Sequence, residues 1–286
     1  MLKTGVVQTT LRTNSRAEFY IEAKAAEDLI RAKKISLEKK LPILIVGSGS
    51  NLAITTAEIK GIVVKNAYIE KKVVAETADH VDLSVSSGYP VGLLVNETVE
   101  AGWSGFEYHK GLPGTVGGAI YMNAKWTRPV SYFGDNLLHA YLINDRCQVI
   151  TVDRKYFQFA YDFSILQKTK EILLEAVFRL PKENSAVLKK RAEEALAYRQ
   201  VTQPMGVATS GCFFQNIDGK SAGYLIDKAG LKGYSIGDFY VSDKHANFII
   251  NKGNGKAEDL AKLVAIIKSK VKEKFGVELK EEVVVI

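Results

Sequence analysis

The segment Gly111-Leu112-Pro113-Gly114-Thr115-Val116-Gly117-Gly118-Ala119-Ile120-Tyr121-Met122-Asn123-Ala124 constrains this chain more than any other stretch. Four glycines and a proline fall within eight residues and run straight into small and apolar side chains. Glycine admits positive φ and lets a ligand approach the main chain with no Cβ in the way. Consecutive bare N–H groups form a nest for phosphate oxygens. A lone cluster of this kind would read as a tight turn. A second glycine loop, Gly47-Ser48-Gly49-Ser50-Asn51, follows the apolar run Leu41-Pro42-Ile43-Leu44-Ile45-Val46. Two such loops in one chain point to a ligand with a pyrophosphate, held from two sides.

The first loop is not a Rossmann fingerprint. That motif needs glycines that open a helix and a third glycine. Leu52 stands in the third place, and Leu52 to Lys60 is too short and too threonine-rich for a crossover helix. Strands and helices are interspersed without a regular βαβ beat, so the expected class is α+β. Helices are expected over 25–34, from Pro90 to Ala101 with Gly102 as its stop, over 185–199, and over 257–275 with Gly276 as its stop. Strands are expected over 41–46, 61–65, 137–143, 149–152, 171–180 and 282–286. Val81, Leu83 and Val85 alternate with polar residues as in a half-buried strand.

The 286 residues, 47% hydrophobic and 25% charged, suffice for two or three compact units. No apolar run nears the roughly 20 residues that span a bilayer. Residues 1–5 show no signal-peptide pattern, so a cytoplasmic protein is expected. Cys147 and Cys212 make neither a disulfide framework nor a metal site. The net charge of +7 comes from dispersed lysines. It reads as a solvated surface that also gathers anionic small molecules, with no basic–aromatic pattern for nucleic acid. A monomer is expected.

Ser210-Gly211-Cys212-Phe213-Phe214-Gln215-Asn216 carries a thiol between a glycine and two aromatics. Burial as a small core residue is the commonest fate of a free cysteine. As a nucleophile Cys212 would need a histidine base. His109 and His245 exist, and neither sits in a signature for that chemistry. Ser242-Asp243-Lys244-His245-Ala246-Asn247-Phe248-Ile249-Ile250-Asn251 mixes polar residues with a strand, and Glu281-Glu282 precedes an apolar tail. None of these fixes a function singly.

Their order and spacing together resemble one family, the flavin-dependent UDP-N-acetylenolpyruvylglucosamine reductases (MurB) of bacterial cell-wall synthesis. The resemblance spans nearly the whole chain. Thr9-Thr10-Leu11-Arg12 resembles the family's N-terminal segment. Gly47, Ser48, Gly49, Ser50, Asn51 and Leu52 resemble its first flavin loop. Gly105-Phe106-Glu107 with Gly111, Pro113, Gly114, Thr115, Gly117, Gly118 and Asn123 resembles its second. Gln203-Pro204 and Ser210 to Asn216 resemble the segment of the catalytic acid. Leu225-Ile226-Asp227-Lys228-Ala229-Gly230-Leu231-Lys232-Gly233 and Ser242 to Asn251 resemble the substrate-domain signature. Gly276-Val277-Glu278-Leu279 with Glu282-Val283 resembles the C-terminal catalytic strand.

The resemblance implies an FAD-binding region of the vanillyl-alcohol-oxidase-like type in two parts, 1–65 joined by 278–286, and 66–182. A substrate domain, 183–277, would follow. It implies FAD as cofactor, NADPH as electron donor and a nucleotide sugar as substrate, with donor and substrate using one pocket in turn. In the implied reaction, hydride reaches the terminal carbon of an enolpyruvyl ether. Negative charge then develops on the adjacent carbon and its carboxylate. An acid must protonate that carbon, and polar groups must steady the oxygens. Cys212 stands where the family usually has serine, and a thiol is the stronger acid. Glu282 aligns with the family's catalytic glutamate. By position, Gln215, Asn216, Tyr224, Lys228 and Lys125 are candidates for substrate contacts.

The chain departs from the family at three places. Phe159-Ala160-Tyr161-Asp162-Phe163-Ser164 has Asp162 where an arginine is usual, and an ionised aspartate would oppose a developing anion. Lys125-Trp126-Thr127-Arg128-Pro129 replaces a small-residue stretch. Asn14-Ser15 replaces an early double glycine. Lys125 or Arg128 is therefore expected to supply the lost cation. Two other readings stay open: an altered flavin- or nucleotide-binding paralogue, and a flavin oxidoreductase on another small substrate.

Overall fold

The computed structural model describes residues 3–13, 15–217 and 219–286. Asn14, one of the departures noted above, lies outside the described residues. The chain forms two compact units, one of residues 1–19, 48–60 and 200–286, the other of 20–47 and 61–199. It passes from unit to unit four times: within the strands Arg16–Ala23 and Glu58–Asn66, in the loop after Gly47, and near the end of the helix Ser185–Thr202.

The second unit is built on a five-stranded sheet. Its order is Val149–Asp153, Leu137–Ile143, Ile172–Pro181, His80–Ser86, Lys71–Glu76. The pairings are antiparallel, with Ala140 opposite Ala176 and Ala176 opposite Val85. Alternation along these strands puts Ala140, Leu142, Ala176, Phe178, Val81, Leu83 and Val85 into one buried cluster. Leu94 and Val95 of the helix Val91–Ala101, Val116 and Ile120 of the helix Val116–Met122, and Leu188 and Ala192 of the long helix Ser185–Thr202 complete it. Phe106 packs against Phe133 and Phe178 with ring centroids 4.8 and 5.0 Å apart. The strand His80–Ser86 is not half-buried, as its alternation predicts. Its polar residues are buried too, because Asp82 takes a two-point bond from Arg179 (2.8 and 2.7 Å) and Ser84 donates to Glu175 at 2.8 Å.

The strand Ile43–Val46 pairs in parallel with the 62–65 stretch, Ile43 opposite Ile62 and Val46 opposite Lys65. No helix joins them, in line with the short connection. The first helix runs over Ala26–Lys39, five residues past its expected end, and stops at Lys40 in the left-handed region (φ 53°). Helix Val91–Ala101 ends at Gly102 with φ 75°, the conformation that glycine adopts at least cost.

The first unit holds a four-stranded antiparallel sheet, Ala208–Cys212, Phe248–Asn251, Phe239–Val241, Ser235–Ile236 in that order. The helix Ala257–Phe275 starts with Glu258 and Asp259, ends with Lys272 and Lys274, and so complements its own dipole at both ends. It lays Leu260, Leu263, Ile267 and Val271 into a cluster with Phe213, Phe214, Ile226, Phe239 and Ile249. The tail folds back as a short strand, Val284–Val285, parallel to Leu52–Ala53. No helix among the described residues is long and apolar enough to cross a membrane.

Candidate flavin and acid–base site

In the first unit the chain brings Cys212 and Glu282 together through the backbone between them. The strand Ala208–Cys212 runs out at the thiol, and the next residue, Phe213, accepts the Glu282 N–H at 2.9 Å. Gln215 N–H donates to the Lys280 carbonyl at 2.9 Å, so the 213–215 and 280–283 stretches lie side by side. Both Cys212 and Glu282 are half-buried. Gly211 has φ 82°, and a Cβ there would meet nothing within 4 Å, so the main chain beside the thiol faces open space.

Asn247 fixes the other side of this stretch. Its carbonyl takes the Phe213 N–H at 2.7 Å, its Oδ1 takes the Phe214 N–H at 2.9 Å, and its Nδ2 donates to the Phe214 carbonyl at 2.7 Å. Asn251 does similar work one strand-length away. Its amide donates to the carbonyls of Leu11 and Arg12 (3.0 and 3.1 Å) and its Oδ1 accepts from Gly253 and Gly255 (2.9 and 3.0 Å). Arg12 is thereby held at φ 58°. Neither asparagine stands out as a site residue in the sequence. The available signal was an asparagine, poor in strand propensity, at each end of the apolar run 248–250.

The first glycine loop is anchored to the same unit. Thr10 N–H donates to the Gly49 carbonyl at 3.2 Å, and a Cβ on Gly49 would lie 2.8 Å from the Gln8 carbonyl. Asn51 links loop and tail: its carbonyl accepts from Val284 N–H at 2.9 Å and its Nδ2 donates to the Glu282 carbonyl at 3.4 Å. Ser48 and Ser50 complete the loop, and Leu52 opens the strand that pairs with Val284. Two buried hydroxyls, Thr13 Oγ1 and Ser210 Oγ, have no hydrogen-bond partner among the described residues. Such a group costs about 1–3 kcal/mol when left unsatisfied, and a polar ligand would satisfy it.

In the second unit the Gly47 end of that loop meets the second loop directly. A Cβ on Gly47 would run into Thr115 Oγ1, and Lys65 Nζ donates to the Gly47 carbonyl at 2.5 Å. Thr115 precedes the helix Val116–Met122, formed by the small-residue and apolar tract of the second loop. The two adjacent glycines in that helix differ in purpose. A Cβ on Gly117 would sit 2.9 Å from the Ser87 carbonyl, which already accepts the Gly117 N–H at 2.7 Å. A Cβ on Gly118 would meet only Thr115 Oγ1, at 3.9 Å. Gly117 is needed for packing, and Gly118 leaves bare main chain toward open space. Gly111 (φ 80°) and Gly114 (φ 123°) flank Pro113 in conformations that favour glycine. This cradle fits a nucleotide phosphate.

Other expected site residues are placed as follows. Asn123 closes the helix in the left-handed region (φ 46°), donates to the Ala160 carbonyl at 3.1 Å and accepts from Gly134 N–H at 3.3 Å. Asn216 Oδ1 accepts from Ala222 N–H at 3.0 Å at the start of the helix Ala222–Lys228. Tyr224 is 59% exposed, with Lys228 Nζ 5.7 Å from its ring centre. Gln215 is half-buried beside Lys280.

The altered stretch after Asn123 forms a small hairpin, Lys125–Thr127 with Val130–Tyr132. It separates the two candidate cations. Lys125 Nζ lies over the rings of Tyr132 and Tyr161, 5.4 and 5.2 Å from their centres, so it reaches the residue next to Asp162. Arg128 instead lies over Tyr198 at 5.1 Å. Asp162 is buried at φ 51° in a tight turn closed by Ala160 and Phe163, and Gln167 Nε2 donates to its carbonyl at 2.8 Å. Farther back, His109 is fully buried, and burial together with the Arg199 charge pulls its pKa down to about 3. It is a neutral imidazole within the core. Among the described residues no cluster of side chains could hold a metal ion.

Comparison with known proteins agrees with this geometry. The family description "FAD binding domain" matches residues 17–153, and "UDP-N-acetylenolpyruvoylglucosamine reductase, C-terminal domain" matches 203–286. A reductase of that name from Chlamydia felis is 34% identical over 278 residues, covering 97% of this chain and 91% of the relative. One from Caldanaerobacter subterraneus subsp. tengcongensis is also 34% identical, over 97% of this chain and 90% of its own. The crystal structure of MurB from Thermus caldophilus superposes with a TM-score of 0.83 at 29% identity, covering 100% of this chain and 99% of the other. The chain belongs to the UDP-N-acetylenolpyruvoylglucosamine reductase (MurB) family of flavin-dependent oxidoreductases, with an α+β fold.

Proposed function

We propose that this chain reduces UDP-N-acetylenolpyruvylglucosamine to UDP-N-acetylmuramate for peptidoglycan synthesis, with Cys212 as proton donor and Glu282 steadying the intermediate. The observation that carries this assignment is the Glu282 N–H on the Phe213 carbonyl at 2.9 Å, which brings the main chain of Glu282 beside the residue that follows the thiol. Bound FAD, reduced by NADPH, would supply the hydride. Gly47 to Leu52, Gly111, Pro113, Gly114, Thr115, Gly117 and Gly118 would hold it, with Asn123 keeping the second loop in place.

The chain's own groups then have separate tasks. Cys212 Sγ holds the proton that the substrate carbon needs. Gly211 leaves the approach to that sulfur open. Asn247 keeps Phe213 and Phe214, and so the thiol, in register. Glu282 acts on the substrate's enol oxygens as a carboxylic acid, donating a hydrogen bond that strengthens as charge develops there, since the ionised form would accept only and repel that charge. Lys125, the cation beside Tyr161, takes the place of the arginine that Asp162 displaces. Gln215, Tyr224 and Lys228 lie on the 183–277 segment, which would take the nucleotide sugar, while 1–65 with 278–286 and 66–182 would take FAD. The two free cysteines accord with a cytoplasmic protein, and we take it as a monomer.

Asp162 supports one second reading, a flavoprotein of the same build that has lost this reaction or changed its substrate. Anaerobic titration separates the two. NADPH should bleach the yellow protein, and the enolpyruvyl substrate should restore the colour. Bleaching without substrate-driven recovery would favour the second reading.

A further inference from the structure

The glycine loops offer a phosphate bare N–H groups and no charge. Neither Gly47 to Leu52 nor Gly111 to Gly118 contains a lysine or an arginine. The pyrophosphate of FAD is a dianion, and an anion taken out of water is costly unless a cation pairs with it. We infer that Lys65, a residue in none of the motifs named above, is the cation that neutralises the FAD pyrophosphate.

The strand Glu58–Asn66 sets its place. The parallel register with Ile43–Val46 puts Lys65 opposite Val46, the residue before Gly47. Lys65 Nζ donates to the Gly47 carbonyl at 2.5 Å, and Gly47 is where Thr115 of the second loop closes on the first. The ammonium is thereby held at the seam of the two loops. An ammonium has three donors, and that carbonyl takes one of them. Lys65, Gly47 and Thr115 all belong to the second unit.

The surroundings leave this charge unmatched. Lys65 is half-buried, and burial lowers its pKa, offset in part by the charge of Glu22 on the neighbouring strand. Among the described residues no carboxylate lies within ion-pair distance of it. A lysine gives up strong hydration when it is buried. A neutral carbonyl repays little of that loss, whereas a phosphate forms a charge-assisted bond with it. The other cations nearby are engaged elsewhere. Lys110, beside the second loop, bonds the Asn96 side chain at the surface, and Lys125 lies over the Tyr132 and Tyr161 rings. A point charge also suits a group that two loops of N–H donors already orient. The inference rests on the binding of FAD and not on which substrate the flavin reduces.

The test is equilibrium binding of FAD to the flavin-free chain at several salt concentrations. Lys65→Gln keeps a donor for the Gly47 carbonyl and removes the charge. It should weaken FAD binding by about tenfold or more, and the affinity should lose most of its salt dependence, because screening acts on the charge. Lys65→Arg keeps the charge and should bind within about threefold of the unmodified chain. The visible band and reduction potential of the bound flavin should stay unchanged in both variants, since the pyrophosphate is remote from the ring. In the unmodified chain FAD should shield Lys65 from acylation, read by mass spectrometry, a measurement that needs no variant to fold. Undiminished affinity in Lys65→Gln, an equal loss at every salt concentration (the result of a displaced loop), or Lys65→Arg as weak as Lys65→Gln would each overturn the inference. So would a shifted flavin potential, which would put the cation at the ring, or equal acylation with and without FAD. No uptake of FAD by the unmodified chain would overturn the inference together with the flavin assignment, so the two failures are told apart.

Discussion

Asn247 and Phe214 hold each other in both directions: the Phe214 N–H donates to Asn247 Oδ1 at 2.9 Å, and Asn247 Nδ2 donates to the Phe214 carbonyl at 2.7 Å. Both residues are buried. The pair fixes the main chain two residues beyond the thiol, so its loss should be felt in stability and in chemistry. Asn247→Leu should destabilise the protein by about 2–4 kcal/mol, since two buried backbone groups lose their partner. In protein that remains folded, kcat should fall more than KM rises. Denaturant melts and steady-state kinetics check the two parts separately.

The adjacent glycines 117 and 118 should respond oppositely to alanine. Gly117→Ala forces a methyl against the Ser87 carbonyl, 2.9 Å away, and should cost about 1–3 kcal/mol of stability. Gly118→Ala meets no such neighbour. It should leave the melting temperature of flavin-free protein level or slightly higher, given alanine's better helix propensity. It should nevertheless weaken FAD binding by about tenfold or more. Thermal melts and flavin titration of both variants give the comparison.

His109 should make stability fall in mild acid. Its folded pKa of about 3 lies below the ordinary value of 6.5, because burial and the nearby Arg199 oppose protonation. The unfolded chain therefore binds the extra proton first, and stability drops as pH falls from the unfolded value toward the folded one. From about pH 6.5 to about pH 5 the loss should be about 2 kcal/mol. His109→Leu should flatten that slope whatever it does at neutral pH. Equilibrium unfolding at several pH values would show it, and an equal slope in the variant would exclude His109 as the cause.

The two cations of the altered hairpin should separate in kinetics. Lys125 reaches Tyr161, and Arg128 reaches Tyr198. Lys125→Met should lower kcat by about 10- to 100-fold, the scale of one lost charged contact to a developing anion. Arg128→Ala should leave kcat within about twofold. Rate measurements at saturating substrate decide between them.

Much of this arrangement was legible in the residues. The helix 257–275 and the strand 137–143 have the boundaries that their periodicity and stops require. The two glycine loops point to a phosphate-binding cradle in the sequence, because few other structures need so many bare backbone positions, and the structure keeps the main chain bare at Gly118. What was hidden depends on tertiary satisfaction. The helix Val116–Met122 contains two glycines and no strong helix former but alanine and methionine, so local propensity argues against it. Packing on Ser87 and Tyr89 makes it, through bonds of 2.7 and 2.9 Å to Gly117 and Val116. The buried polar side of His80–Ser86 was equally invisible, since Arg179 and Glu175 are about ninety residues away in sequence. The separate placement of Lys125, over Tyr132 and Tyr161, and of Arg128, over Tyr198, comes from the hairpin turn, which composition alone does not reveal.

The most direct measurement is the pair of half-reactions in Cys212→Ala, followed anaerobically by flavin absorbance. Reduction by NADPH should proceed as in the unmodified protein, because no proton from the thiol is needed there. Reoxidation by the enolpyruvyl substrate should slow by about a hundredfold or more, with partial recovery and a shifted pH profile in Cys212→Ser. Reoxidation of the alanine variant at the unmodified rate would contradict the assignment of Cys212 as the acid.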